Sequence, residues 1–220
     1  MFKHNSARIQ SKSSARLALL GMSASLAVAT AALTSISAAH AKPTEVRATT
    51  PVVNFAISET EVRAAQEAWG RALVQISTEH DNKGAKSART LAKNIIDAAY
   101  GYQYGAVLFK PTLTTGEQTF RTTAEGALAY FAGGNKAFPN DNGFAFKGWR
   151  SVKIDNAGVF INGDMAITMG KVHLTDKNGQ VTTVDKTWGF KKDTNGNLRI
   201  VLHHSSLPYV DSSSRQARKD

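Results

Sequence analysis

"INGDMAITMGKVHLTDKNGQVTTVDKTWGFKKDTNGNLRIVLHHSS", Ile161 to Ser206, is the stretch whose pattern decides the fold. Asn-Gly occurs three times in it, at Asn162-Gly163, Asn178-Gly179 and Asn195-Gly196, each time between runs rich in β-branched and aromatic residues. This dipeptide is favoured where a tight hairpin needs positive φ, because glycine has no Cβ to clash and asparagine tolerates the left-handed region. The turns predict four strands, at about 150–161, 164–176, 180–192 and 198–206. Strands joined this closely must be antiparallel.

Upstream the period is helical. Ser58 and Glu61 are spaced as a capping box, and Val62, Ala65, Trp69, Leu73 and Ile76 follow at intervals of three and four. That spacing predicts a long amphipathic helix with Trp69 turned to the core. "HDNKGAK" (80–86) interrupts it, and Leu91, Ile95, Ala98, Ala99 and Tyr102 predict a second helix. "AVLFKPTL" (106–113) has the composition of a strand ended by Pro111. Thr122 with Glu125 predicts another capping box, Leu128 and Phe131 a buried stripe, and Gly133-Gly134 a helix stop. Three helices beside a twisted antiparallel meander give an α+β layer with the helices on one face of the sheet.

The first 41 residues carry Lys3, Arg8, Lys12 and Arg16 with no acid, then a Leu- and Ala-rich run, then Ala39-His40-Ala41. That is the pattern of a secretory signal peptide, with no membrane anchor expected after cleavage. The expected organisation is leader 1–41, linker 42–57, one folded domain 58–209 and a tail 210–220, in a periplasmic or secreted protein. The whole chain has 27 Lys and Arg against 17 Asp and Glu; without the leader 23 remain against 17, a scattered excess that does not form a nucleic-acid footprint. There is no cysteine, which excludes disulfides, thiolate metal sites and cysteine nucleophiles.

The segments "GDMAITMGKVHLT" (163–175) and "DKTWGFKKDTNGNLRIVLHHSS" (185–206), with the helix-first order, resemble the nuclear transport factor 2-like superfamily, which includes ketosteroid isomerases. Within it the chain is similar to the association (hub) domain of calcium/calmodulin-dependent protein kinase II and its exported bacterial relatives. The resemblance implies a cone-shaped fold, a pocket between curved sheet and long helix, and homodimers or larger rings through the sheet's outer face. In the hub domain, pocket arginines hold carboxylates; by motif their positions fall on His173 and Trp188 here. A neutral histidine and a tryptophan cannot form the same anion clamp.

Alternation along the strands gives the candidate site. Taking the apolar sets as inward places Met165, Ile167, Met169, Lys171 and His173 on one inner row, Val184, Lys186, Trp188 and Phe190 on the next, and Leu198, Ile200, Leu202 and His204 on the last. His203 then faces outward. The expected ligand-binding residues are His173, Trp188, His204 and Tyr104. His204 and Asp97 are the candidates for an acid or base, with Tyr100, Tyr102 and Tyr104 as hydroxyl donors. Two adjacent strand histidines cannot share one ion, no third ligand has a supporting spacing, and no Gly-x-Ser-x-Gly elbow accompanies Ser205, so neither a metal nor a cofactor is expected. The leading functional expectation is an exported small-molecule-binding or assembly domain. The alternative is a lyase or isomerase with ketosteroid-isomerase-like acid–base chemistry, and after it a hydrolase.

Overall fold

The computed structural model describes residues 54–211. The expected leader, most of the expected linker and nearly all of the expected tail lie outside the described residues.

The chain enters the fold at α1 (Glu59–Ala99), capped as expected. Ser58 Oγ accepts from the Glu61 amide at 3.2 Å, and the Glu61 carboxylate accepts from the Ser58 amide at 2.8 Å. The two predicted helices are its two arms, with Gly84 alone in a non-helical conformation between them. The short strand β1 (Leu108–Lys110) follows, then α2 (Ala124–Ala132). The cap of α2 is Thr123 and not Thr122, with its side chain accepting from the Gly126 amide; the third helical position is therefore glycine, and no capping box forms. Glu125 instead accepts from Asn135 at 2.8 Å.

The remainder is β2 (Trp149–Asn162), β3 (Met165–Asp176), β4 (Val181–Lys192) and β5 (Leu198–Ser206), within two residues of the expected limits. Two of their connections use one device. In "DKNG" (176–179) and "DTNG" (193–196) the aspartate carboxylate accepts two backbone amides, from Asn178 and Gln180 and from Asn195 and Asn197, all at 2.8–2.9 Å. The glycine closes the turn at positive φ. The aspartate two residues before Asn-Gly thus fixes the turn as much as the dipeptide does.

The sheet order is β1-β5-β4-β3-β2. The meander is antiparallel as expected, but β1 pairs parallel with β5, so the sheet is mixed and not wholly antiparallel. Parallel pairing requires a long crossover, which the meander and α2 supply together. Both α1 and α2 lie on one side of this curved sheet, giving the expected α+β architecture.

Of its three register irregularities, one of which lies at the start of β2 between Trp149 and Ser151, two bear on the site. In β2 the pairing shifts between Asn156 and Gly158. Opposite this bulge β3 has Gly170, where a Cβ would lie 2.2 Å from the Asp155 carbonyl oxygen. In β5 the pairing shifts at Val201: Phe190 pairs with Ile200, but Gly189 pairs with Leu202. One extra residue in a strand reverses the alternation beyond it.

The structure corrects two of the expected inner rows. On β3 the buried residues are Ala166, Thr168, Val172 and Leu174, while Met165, Ile167, Met169 and Lys171 are exposed and His173 is half-buried on the same outer row. Hydrophobicity misleads because the first half of the inner row is small, with Ala166, Thr168 and Gly170, while the larger Met165, Ile167 and Met169 stand on the outer face. On β5, Ile200 is buried as expected, but beyond the bulge His203 and Ser205 are buried and His204 is exposed. The β4 row is as expected, with Val184, Lys186, Trp188 and Phe190 all buried.

Gly170→Ala should destabilise the domain by about 1–3 kcal/mol, since a methyl group would have to displace main chain and not a side chain. Denaturant unfolding checks this, with Gly158→Ala as the control in open space.

Candidate active site

Behind the bulge, the inner row of β5 presents His203 and Ser205. His203 is 1% exposed and enclosed by rings: Phe109 stacks on it with centroids 4.5 Å apart, and Trp69 stands edge-on at 5.5 Å. Its Nδ1 lies 2.8 Å from Tyr100 Oη, which accepts the indole N–H of Trp69 at 3.1 Å. Its Nε2 lies 2.7 Å from Nζ of Lys186. Burial above all pushes the imidazole well below its ordinary pKa. Burial likewise lowers Lys186, from an ordinary 10.5 to about 7. Its Nζ sits over the rings of Trp69 and Trp188, at 4.7 and 5.3 Å.

Ser205 begins a second polar group. Its Oγ is 2.6 Å from Oγ1 of Thr112, just beyond the end of β1, and its carbonyl accepts from Lys110 Nζ at 3.0 Å. Pro111 between these two residues ends β1 and lets Thr112 turn back towards Ser205. Tyr130 on α2 completes the corner. Its hydroxyl is buried, and burial raises its pKa, so it stays protonated. The Thr112 hydroxyl and the Leu113 backbone lie near enough to favour the opposite shift, yet none is placed to make a well-formed hydrogen bond with Tyr130 Oη. A buried hydroxyl in that state costs roughly 1–3 kcal/mol and is what a polar ligand would satisfy.

Beside Tyr130 is a cavity of about 160 Å³, with Leu113, Asn140, Asp141 and Phe144 among its walls. Asp141 is held by the buried Arg121, whose Nη2 donates to both carboxylate oxygens at 3.1 Å. The corner therefore offers three hydroxyl groups, of which that of Tyr130 belongs to the wall of the small cavity.

The residues expected to bind ligand do not assemble. His173 is on the outer face, bonded to Thr183 at 2.9 Å and 3.2 Å from an Asp155 carboxylate oxygen. His204 is exposed beside Lys110, its partner in the β1–β5 register. Tyr104 is 59% exposed, with its hydroxyl 3.4 Å from Asp193. Asp97 stands on α1 paired with Lys93 at 2.6 Å. Trp188 alone is inside, 5.9 Å from the His203 ring. Thr112, Tyr130, His203, Lys186 and Ser205 are not among the residues expected from sequence to form the site. Lysine within the apolar row Val184, Trp188, Phe190 was the one visible signal. Among the described residues no group of three or more His, Cys, Asp or Glu is placed to hold a metal ion.

Residues 60–207 match the family model described as metal-independent carbonic anhydrase. A protein of that description from Nostoc sp. is 64% identical over 160 residues, 73% of this chain and 78% of the relative. The crystal structure of a cyanobacterial iota-carbonic anhydrase complexed with bicarbonate is 63% identical; the match covers 74% of this chain and 99% of that one, with a TM-score of 0.73. A Xanthomonas campestris structure described as a calcium/calmodulin-dependent protein kinase II association domain is 24% identical, covering 68% of this chain and 88% of that one at a TM-score of 0.44. These matches overturn the expectation of a non-catalytic binding or assembly domain. That expectation failed because it rested on fold-level likeness, and one fold carries many functions. Extending over 148 residues and joined by a relative of this identity, the match shows that the chain belongs to the family of metal-independent carbonic anhydrases.

Proposed function

We propose that this protein interconverts carbon dioxide and bicarbonate, without a metal ion, at the corner formed by Thr112, Ser205 and Tyr130. The observation that carries the proposal is the unsatisfied Tyr130 hydroxyl beside the Thr112–Ser205 pair and a small cavity, in a chain 63% identical to a protein whose structure holds bicarbonate. Hydration forms a bond between water oxygen and carbon, opens one C=O π bond to leave an anionic oxygen, and releases a proton. The corner is suited to orient these species. Thr112 and Ser205 share one proton in their mutual bond, leaving the other hydroxyl proton free to point at a ligand oxygen. Tyr130, kept protonated by burial, offers another. Neutral donors of this kind stabilise charge developing on oxygen when they are held in place beforehand.

Stopped-flow measurement of CO2 hydration tests this. Tyr130→Phe and Thr112→Val should each lower kcat/KM by roughly 10²-fold, the loss typical of one fixed donor to a developing oxyanion, while the melting transition is retained. Activity should survive exhaustive chelation; its loss, restored by added zinc, would overturn the metal-free reading.

We further propose that the protein works as a homodimer through its outer sheet face. Leu108, Leu202, Gly189, Ile167 and Phe160 stand in successive register across all five strands, and Leu108, Ile167 and Phe160 are 62%, 44% and 66% exposed. An apolar row this long is unusual on a solvated surface, and a second copy meeting it across a twofold axis covers both rows at once. Light scattering should give a dimer, and Phe160→Asp with Ile167→Asp a monomer. The basic leader pattern of residues 1–41 supports an exported, periplasmic or secreted location.

A further inference from the structure

The hydrogen bonds around His203 have only one fully satisfied proton arrangement. An indole N–H can only donate, so Tyr100 Oη accepts from Trp69. The Tyr100 hydroxyl has one proton of its own, and its described partner for it is Nδ1 of His203. With Nδ1 accepting, the imidazole carries its proton on Nε2 and donates to Lys186 Nζ. Only a neutral amine has a lone pair to receive it. The chain Trp69→Tyr100→His203→Lys186 therefore runs in one direction and ends on an uncharged lysine.

The surroundings agree. Trp69 on α1, Trp188 on the same strand, Gly170 across on β3, and His203 and Ser205 on β5 face Lys186, and Tyr100 closes the chain from the end of α1. Farther out, His204 acts on His203 and Lys110 on His204, both on the cationic side. None of the described ion pairs includes Lys186. Its main-chain partner in the β4–β5 register is Ser205, whose hydroxyl bonds Thr112, and His203 is one ring, that of Phe109, away from Tyr130.

We propose that Lys186 is the proton acceptor for carbon dioxide hydration, a neutral amine held at the end of the Trp69–Tyr100–His203 chain on the residue that pairs with Ser205 of the Thr112–Ser205–Tyr130 corner. This rests on the carbon dioxide–bicarbonate reading of the same site. As the new C–O bond forms, the proton leaving the water comes to rest on Nζ, turning the amine into an ammonium; bicarbonate departs, and the ammonium then loses that proton to bulk buffer. A protonated Lys186 must donate to His203 Nε2, which moves the imidazole proton to Nδ1 and leaves the Tyr100 hydroxyl proton without its acceptor. The charged state is one hydrogen bond short, so the proton is readily released.

Lys186→Met and Tyr100→Phe are the variants to compare with wild type. Lysine is charged in the unfolded chain up to its ordinary 10.5 but neutral in the folded one above about 7. Between these values the unfolded state binds more protons, so wild-type stability rises with pH there. The melting-temperature gap between Lys186→Met and wild type should therefore change in favour of wild type from pH 7 to 10; a pH-independent gap would overturn the neutral lysine whatever the activity. In stopped-flow hydration, wild-type kcat should rise with pH through about 7. Lys186→Met should lose this limb and roughly 10²-fold in kcat at low buffer, with KM little changed. Tyr100→Phe should shift the limb and lower kcat less. A folded Lys186→Met protein with an unaltered pH profile would overturn the proposal. A wild-type protein without hydration activity would overturn the reading beneath it, while the pH dependence of the melting gap would still report the lysine's charge.

Discussion

Between Ile200 and Leu202, β5 carries one residue more than β4 can pair with, and its side-chain phase turns over there. Ile200 packs inward before the bulge, and His203 and Ser205 do so after it. Without the extra residue, Leu202 and His204 would point into the molecule and the two polar side chains of the site would stand on the outer face. The bulge also accommodates Gly189, whose missing side chain is covered by Leu202 at 2.9 Å from where its Cβ would be. One backbone irregularity thus separates an apolar outer row from a polar inner one.

Turning these polar groups inward sets a problem of desolvation. Lys186, His203, Ser205 and Thr168 are all at most 5% exposed on the helix-covered side of the sheet. Each must find partners there, because an unpaired buried polar group costs more than most single contacts return. The aromatic residues do this together. Trp69 and Tyr100 hydrogen-bond, Phe109 stacks on the imidazole, and the indole faces of Trp69 and Trp188 lie against the lysine. Farther along the sheet, Gln66 exchanges two hydrogen bonds with Asn156 and donates to Thr168 as well. The inner side is thus packed with rings and small polar networks, and the space beside Tyr130 is on its margin.

Much of the fold was legible because it depends on local chemistry. Ser58 and Glu61 cap α1 through atoms three residues apart. The turns at Asp176 and Asp193 close within five residues. The site was legible only in fragments. Thr112 and Ser205 are 93 positions apart, and Tyr100 and His203 are 103, so no spacing connects them. His173, by contrast, looked like part of a pocket because its neighbours Met165, Ile167 and Met169 are apolar, yet that row faces away from the helices.

The sequence by itself determined the helices, the hairpins and the antiparallel order of the last four strands, since caps, periods and turn residues act over a few positions. Only the tertiary structure decided which histidine is buried, which face of β3 is the inner one, and that β1 lies parallel to β5. Each of these depends on strand register and helix contact, and a single bulged residue, silent in composition and period, is enough to exchange one face for the other.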